Sequence, residues 1–500
     1  MDNLSRRDFL KASGFIAAAF ALWRCTPREV TASVQPAPTP APTLATPLSA
    51  DDATTLTRTL RRITFGPLPN EVARARAIGL EAFILEQLNP ESIPEPDILA
   101  PFDFETLEMN AGELLRVDPP GRPIGELMGA TLARAVFSPR QLYEKMVVFW
   151  SDHFNIYIRK GIERALKPVD DRLVIRPHAL GRFHDLLSAS AHSPAMLYYL
   201  DNASSTKEKP NENYARELLE LHTLGVDGGY THQDIVEVAR ALTGWSITRP
   251  RRFFGGGGEF VFRPRLHDTG PKTILGQSFP AGQGVEDGEQ LLDLLSHHPS
   301  TARFISTKLV RRFVADEPPE DLVTRATQTF QETDGDIAEV MRTILTSDEL
   351  RASLGGKLKR PFEYLVSALR QTQAEIEPNR ALFRYLTMMG QPLFHWPTPD
   401  GYPDVAAAWM GTGSLLARWN FALALAFNTI PGVRVDWDVL AGEASAPEGA
   451  LDTLSDRFLG APLPEEARSL ILDFLNTLDA GFVLPALGAL LLASPYFQYH

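Results

Sequence analysis

The sequence predicts a mostly α protein, a large multi-helix single domain with a small inserted β ribbon. Three observations lead there. From Asp51 onward, apolar residues recur at the three- and four-residue spacing of helices that each bury one face. Helix-opening pairs, Ser138-Pro139 and Ser193-Pro194, punctuate that pattern. The segment 249–279 breaks it, with four consecutive glycines at 255–258 ahead of the β-prone Phe260-Val261-Phe262.

The chain opens on a segment that reads as an address. Ser5-Arg6-Arg7-Asp8-Phe9-Leu10-Lys11 resembles the twin-arginine export consensus, and the apolar run Ala12–Trp23 follows it. As a helix that run rises only about 18 Å, short of a hydrocarbon core of roughly 30 Å, so no transmembrane span is expected. Residues 1–32 are assigned to this signal region, and the protein is expected outside the inner membrane, in the periplasm or beyond. Leu22-Trp23-Arg24-Cys25 carries the leucine and cysteine of a lipobox, with Trp23 and Arg24 where small residues are usual. Lipid anchoring at Cys25 and cleavage after Ala32 are both left open. Residues 33–50, rich in Pro, Ala and Thr, form an extended spacer that cannot pack a core.

Residues 51–500 form the helical body. Ser138-Pro139-Arg140-Gln141 predicts a capping box, and the helix it opens places Leu142, Met146, Phe149, Trp150 and His153 on one stripe. Ser193-Pro194 opens a helix over Ala195–Leu200, and Thr231 with Asp234 caps another that Gly244 ends. In the ribbon, Phe260–Phe262 and Lys272–Leu275 are the strand candidates. Helical spacing resumes over Leu291–Leu350, Arg360–Leu386 and Leu451–Leu492, while the proline-rich Gly390–Pro403 runs as loop. No internal repeat and no second linker interrupt this body.

Composition removes several functions. With 62 acidic against 49 basic residues the net charge is -13, so a phosphate backbone finds no basic surface and nucleic acid is not an expected partner. The single cysteine is Cys25, which leaves the body no disulfide, thiolate metal site or cysteine nucleophile. Any divalent metal would have to be held by His, Asp, Glu or amide oxygen. No H-E-x-x-H, G-x-S-x-G, P-loop or strand-borne G-x-G-x-x-G occurs, so zincin, α/β-hydrolase, nucleotide-hydrolase and dinucleotide-oxidoreductase chemistries lose their usual markers.

Several motifs carry a family likeness. They are Arg62-Ile63-Thr64-Phe65-Gly66 with Pro69 and Glu71, Phe149-Trp150-Ser151-Asp152-His153-Phe154, Pro194-Ala195-Met196-Leu197, Asn211–Leu218, Glu220–Gly225, Ala241–Trp245 and His267-Asp268. Together they resemble the bacterial domain-of-unknown-function 1800 (DUF1800) family from about residue 55 onward. The resemblance implies an exported, helix-rich protein and brings no activity with it. It suggests one partner, an exported protein of a sulfatase-like family often encoded alongside.

The candidate chemistry concentrates in Asn211–Gly225. Wound at about 100° per residue, Asn213, Glu217 and Glu220 share one face, Tyr214, Leu218 and Leu221 another, with His222 on the far side from the carboxylates. Two carboxylates one turn apart can hold a divalent cation or drive each other's pKa apart for acid and base roles. Glu217, Glu220, Arg216 and His153 are therefore the catalytic candidates, with Arg216 orienting a carboxylate or an anionic ligand. Asn211, Asn213, His222 and Trp245 are ligand-binding candidates, and Glu217, Glu220, His153, His267 and Asp268 are metal candidates. Trp150, Trp245, Trp396 and Trp409 with Tyr402 can line a sugar groove or fill a core. The plain reading competes throughout: Glu212, Arg216 and Glu220 stand at i, i+4 spacing like an ordinary solvated helix face, and His153 sits among apolar neighbours like a satisfied core histidine.

Two functions follow. One is an envelope enzyme with a carboxylate and histidine site, with or without a metal, acting hydrolytically on a polymer or an oxyanion ester. The other is a non-catalytic scaffold or partner subunit in an exported complex with the sulfatase-like protein. The enzyme reading requires the acidic groups of the Asn211 helix to point inward at imidazoles from distant segments around a shared cavity.

Overall fold

A computed structural model describes residues 52–248, 257–377, 379–444 and 446–500. The twin-arginine motif, Cys25, the spacer 33–50 and residues 249–256 of the ribbon segment lie outside the described residues. The body is mostly helical, and among the described residues strands occur only in three two-stranded antiparallel sheets. No described helix is long and apolar enough to cross a membrane.

Seven helices position the site: α1 (Asp52–Ile63), α2 (Gln141–His153), α3 (Glu163–Asp170), α4 (Pro194–Tyr199), α5 (Glu212–Glu217), α6 (Pro299–Phe313) and α7 (Pro361–Gln371). The stripe read on α2 is inside, with Leu142, Met146, Phe149, Trp150 and His153 all buried. Burial of this kind contributes about 1.5–3 kcal/mol for each large apolar side chain. The capping box expected at its start does not form. The helix begins at Gln141 without a side-chain cap: Ser138 Oγ accepts from the Arg140 amide, while the Gln141 side chain turns back to accept from the Phe65 amide. The Thr231 box does form, with Oγ accepting from Asp234 N at 3.2 Å and the Asp234 carboxylate accepting from Thr231 N at 2.8 Å. Thr231→Ala is expected to lower stability by about 1 kcal/mol, read as a lower urea midpoint. An unmoved midpoint would show that box to be idle.

The ribbon is wider than 249–279 and consists of two hairpins. Strand β1 (Trp245–Ile247) pairs with β2 (Phe260–Phe262), and β3 (Lys272–Ile274) pairs with β4 (Gln277–Phe279). The third sheet, β5 (Glu375–Ile376) with β6 (Val433–Arg434), was not foreseen, since two-residue strands carry no periodicity to read.

Apolar packing gathers into two principal clusters. The first runs from Leu60 to Leu350 and contains Trp150, Leu218, Trp245 and Leu309. The second includes Phe65, Leu132, Phe362, Leu369, Phe421, Leu451, Leu487 and Phe497. Ion pairs join helices of one to segments of the other. Lys145 of α2 and Arg312 of α6 reach Glu363 of α7 at 2.8 and 3.4 Å, and Asp152 of α2 pairs with Arg360. Against its own burial, Arg312 and Lys145 hold the Glu363 carboxyl well below its ordinary range, so it stays ionised. Arg61 and Arg62 of α1 extend this seam, donating to carbonyls of Leu459, Tyr496 and Tyr499 and of Phe313, Val314 and His500 respectively.

Helix α5 corrects the expected winding. It continues directly into a π-helical turn, Leu218–Thr223, in which Leu224 N donates to Leu219 O across five residues at 2.8 Å. The wider turn makes the buried pairs recur every four residues: Tyr214 with Ala215, Leu218 with Leu219, His222 with Thr223. Leu221, placed inside by the 100° wheel, is therefore only half-buried, and His222 is fully buried. A second π turn, Asp171–Ile175, follows α3 in the same way.

Candidate functional site

A cavity of about 130 Å³ opens where the C-terminal end of α2, the middle of α6 and the loop 400–404 converge. Its walls are Phe149, Asp152, His153, Lys308, Arg311, Asp400, Tyr402, Pro403 and Asp404. Gly401 seats the loop: its φ is +73°, and a Cβ there would stand 2.0 Å from the Asp152 carbonyl oxygen, so only glycine fits against α2.

Hydrogen bonds fix the imidazole in this cavity. His153 Nε2 donates to the His222 carbonyl at 3.2 Å, and Nδ1 accepts from Lys308 Nζ at 2.9 Å. Burial, with the Lys308 charge beside it, keeps His153 well below its ordinary pKa, so the ring is a neutral acceptor. Burial also lowers Lys308 to about 8, while Asp404 and Asp152 pull it back up. Each acid in the wall has its own cation or donor. Asp152 pairs with Arg360, Asp404 meets Arg312 at 2.7 Å and Arg360 at 3.3 Å, and Asp400 Oδ1 accepts from Trp396 Nε1 and Thr398 Oγ1.

A family model described as "Protein of unknown function (DUF1800)" matches residues 58–499. The chain belongs to that family. No curated protein and no solved structure matches it.

In this DUF1800 chain the candidates named from sequence fall into three places. Of them His153 and Tyr402 line the cavity, and His153 does face the Asn211 segment, through the His222 carbonyl. Glu217 does not line the cavity. Its carboxyl is half-buried and its pKa is raised by burial, by Glu220 and, more weakly, by Asp400. Tyr199, whose hydroxyl donates to the Pro397 carbonyl, feels both Asp400 and Glu217. Glu220 Oε2 accepts from Tyr230 at 3.4 Å.

The second group ties the chain together. Asn211 Oδ1 accepts from Asn213 N while its amide donates to the Asp201 carbonyl, and the Asn213 amide donates to the Leu200 carbonyl. Arg216 faces Glu212 at 3.6 Å with both side chains 43% exposed, the plain i, i+4 pair. His222 is buried with neither ring nitrogen hydrogen-bonded, and burial and Lys308 lower its pKa to about 3. Trp150 and Trp245 are fully buried core residues and do not form a groove. Trp396, Tyr402 and Trp409 do cluster, with ring centroids 4.9 and 6.0 Å apart in sequence order.

The third group, His267 and Asp268, serves the ribbon. His267 engages the Thr243 carbonyl at 2.8 Å and Asp287 at 3.1 Å, Lys272 meets Asp287 at 2.6 Å, and Asp268 pairs with Arg240 at 2.9 Å. The five metal candidates are therefore not brought together. Among the described residues no group of three or more His, Asp or Glu could hold a metal ion.

Sequence reading missed Lys308, Arg311 and Asp400. For Lys308 a signal exists: Ile305, Lys308, Leu309 and Arg312 fall at i, i+3, i+4 and i+7, so two cations occupy the apolar stripe of a helix. A charge there is an invitation to look for its partner.

Proposed function

We propose that the protein is an exported cell-envelope enzyme that carries out acid–base hydrolysis in the cavity around His153 and Lys308. The observation that carries this reading is that one small cavity is lined both by an ammonium held by a neutral imidazole and by the Asp400 carboxyl group. Lys308 can deliver a proton to a leaving group, with His153 holding the amine in place through Nδ1. Asp400 can accept the proton of an attacking water, and Glu217, whose pKa burial and Glu220 raise, is the carboxyl of the Asn211 helix that acts on Asp400. Export by the twin-arginine route fits the motif at Arg6-Arg7 and places the substrate in the envelope or outside it.

The test is a panel of chromogenic esters and glycosides offered to the purified protein. At least one should be hydrolysed, and Asp400→Asn and Glu217→Gln should each lower the rate about 100-fold at unchanged melting temperature. Failure on the whole panel, or full activity in both variants, overturns the reading.

A second reading, a scaffold or partner subunit beside a sulfatase-like protein, draws on a different observation. Asn211, Asn213, Arg216, His267 and Asp268 are already engaged in internal contacts. On that reading, co-purification with the partner would survive both substitutions.

A further inference from the structure

The charges around the cavity do not cancel locally. Lys308 projects from α6 into the space between α2 and the 400–404 loop, and its hydrogen-bond partner is the neutral Nδ1 of His153. The ring of Phe304, 5.4 Å away, is its other close cation contact. Among the described residues no carboxylate forms an ion pair with it, although Asp152 and Asp404 share the same wall. Those two acids are matched by Arg360 and Arg312, and the Asp404 carbonyl is further held by Lys357 at 3.1 Å. The third acid of the wall, Asp400, takes only the neutral donors Trp396 and Thr398 and forms no ion pair with Lys308, so the ammonium faces the cavity without a direct counter-ion.

Arg311 adds a second cation at the same opening. It lies three residues on from Lys308, about one helical turn, and also lines the cavity. Its Nε donates to the Asp316 carbonyl at 3.2 Å, which fixes the plane of the guanidinium. His153 cannot supply the missing charge, because its Nε2 is committed to the His222 carbonyl and its Nδ1 to Lys308. The aromatic walls, Phe149 and Tyr402, offer no competing acceptor on their faces and strengthen any charge pairing by excluding water.

We propose that the cavity receives an oxyanion group of the substrate, a carboxylate, phosphate or sulfate, held between the Lys308 ammonium and the Arg311 guanidinium. This rests on the same cavity as the hydrolase reading and adds the class of substrate: a molecule bearing an oxyanion next to the bond that is cleaved. Lys308 then binds as well as donates, and Arg311 is a specificity residue that takes no part in proton transfer.

The experiment is isothermal titration calorimetry of the full folded protein with sodium phosphate, sodium sulfate and sodium acetate, at ionic strength fixed with sodium chloride. Saturable one-site binding of at least one anion is expected, and Lys308→Met and Arg311→Met should each weaken it by about tenfold or more. Preference for phosphate or sulfate over acetate assigns a phospho- or sulfo-ester, and the reverse assigns a carboxylate. Arg311→Lys keeps a charge at the rim and should retain part of the affinity, which separates recognition from misfolding. No saturable binding of any of the three anions, or unchanged affinity in both Met variants, overturns the proposal. The Asp400→Asn variant distinguishes the two readings. It removes a negative charge from the wall and should bind the anion at least as tightly as the parent while losing hydrolysis, so anion binding without any hydrolysis in the parent, or hydrolysis without anion binding, identifies which one has failed.

Discussion

Replacing Asp404 with asparagine is expected to reduce stability by about 3–5 kcal/mol, the cost of leaving buried cations without their counter-ion. Arg312 stands 2.7 Å and Arg360 3.3 Å from the Asp404 carboxylate, and Lys357 is held by its carbonyl. All three cations are buried, so water cannot replace the lost charge. Although burial alone would raise it, these cations keep the Asp404 carboxyl far below the ordinary carboxylate value. The sign follows from that direction. A carboxyl with a depressed folded pKa gives stability that is complete above the unfolded value, near 3.9, and lost only as pH falls through the folded one. The difference between parent and variant should thus be flat from about pH 5 to pH 8 and shrink only in strong acid. Urea midpoints across that range measure it. A difference below about 1 kcal/mol at pH 7 would mean that the seam's cations find other partners.

Gly401→Ala is expected to cost about 2–5 kcal/mol, combining left-handed backbone strain with an overlap that the neighbouring backbone must yield to. The added methyl would meet the carbonyl oxygen of Asp152 at 2.0 Å, and a helix terminus cannot swing aside as a flexible side chain can. The loop must lift, taking Asp400, Tyr402, Pro403 and Asp404 from the cavity wall. The effect on function should therefore exceed the effect on stability: a lower melting temperature together with complete loss of phosphate or sulfate binding. A variant with normal calorimetric binding would show that the loop is held by contacts other than this one.

The elements of the fold were legible where periodicity is local. The α2 stripe, the helix capped by Thr231, the strand Phe260–Phe262 and the helices between Leu291 and Leu386 all follow from side-chain spacing and turn chemistry. The site was legible only in part. His153 and the Asn211 segment stood out, but Lys308 lies 155 residues from His153 and Arg360 lies 208 residues from Asp152, distances over which spacing says nothing. The π turn at Leu218–Thr223 defeated the helical wheel at Leu221, which a wheel drawn at 3.6 residues per turn places inside with Tyr214 and Leu218 and which is only half-buried, whereas His222 does lie away from the carboxylates. The pairs Leu218-Leu219 and His222-Thr223, four residues apart, were the local clue to that wider winding.

The reach of the α1 arginines bears on how the molecule assembles. Arg61 meets Leu459 and Tyr499, and Arg62 meets His500, across 398 to 438 residues of chain. During synthesis these guanidinium groups emerge early; Arg62 meets the Phe313 and Val314 carbonyls midway, while the Leu459, Tyr499 and His500 carbonyls emerge far later. Closing such large loops is slow relative to local helix formation, so the contacts of α1 with residues 459–500 are expected to form after the helices of that stretch have formed locally. A pulse-labelled chain should gain protease resistance abruptly when its last helices are released.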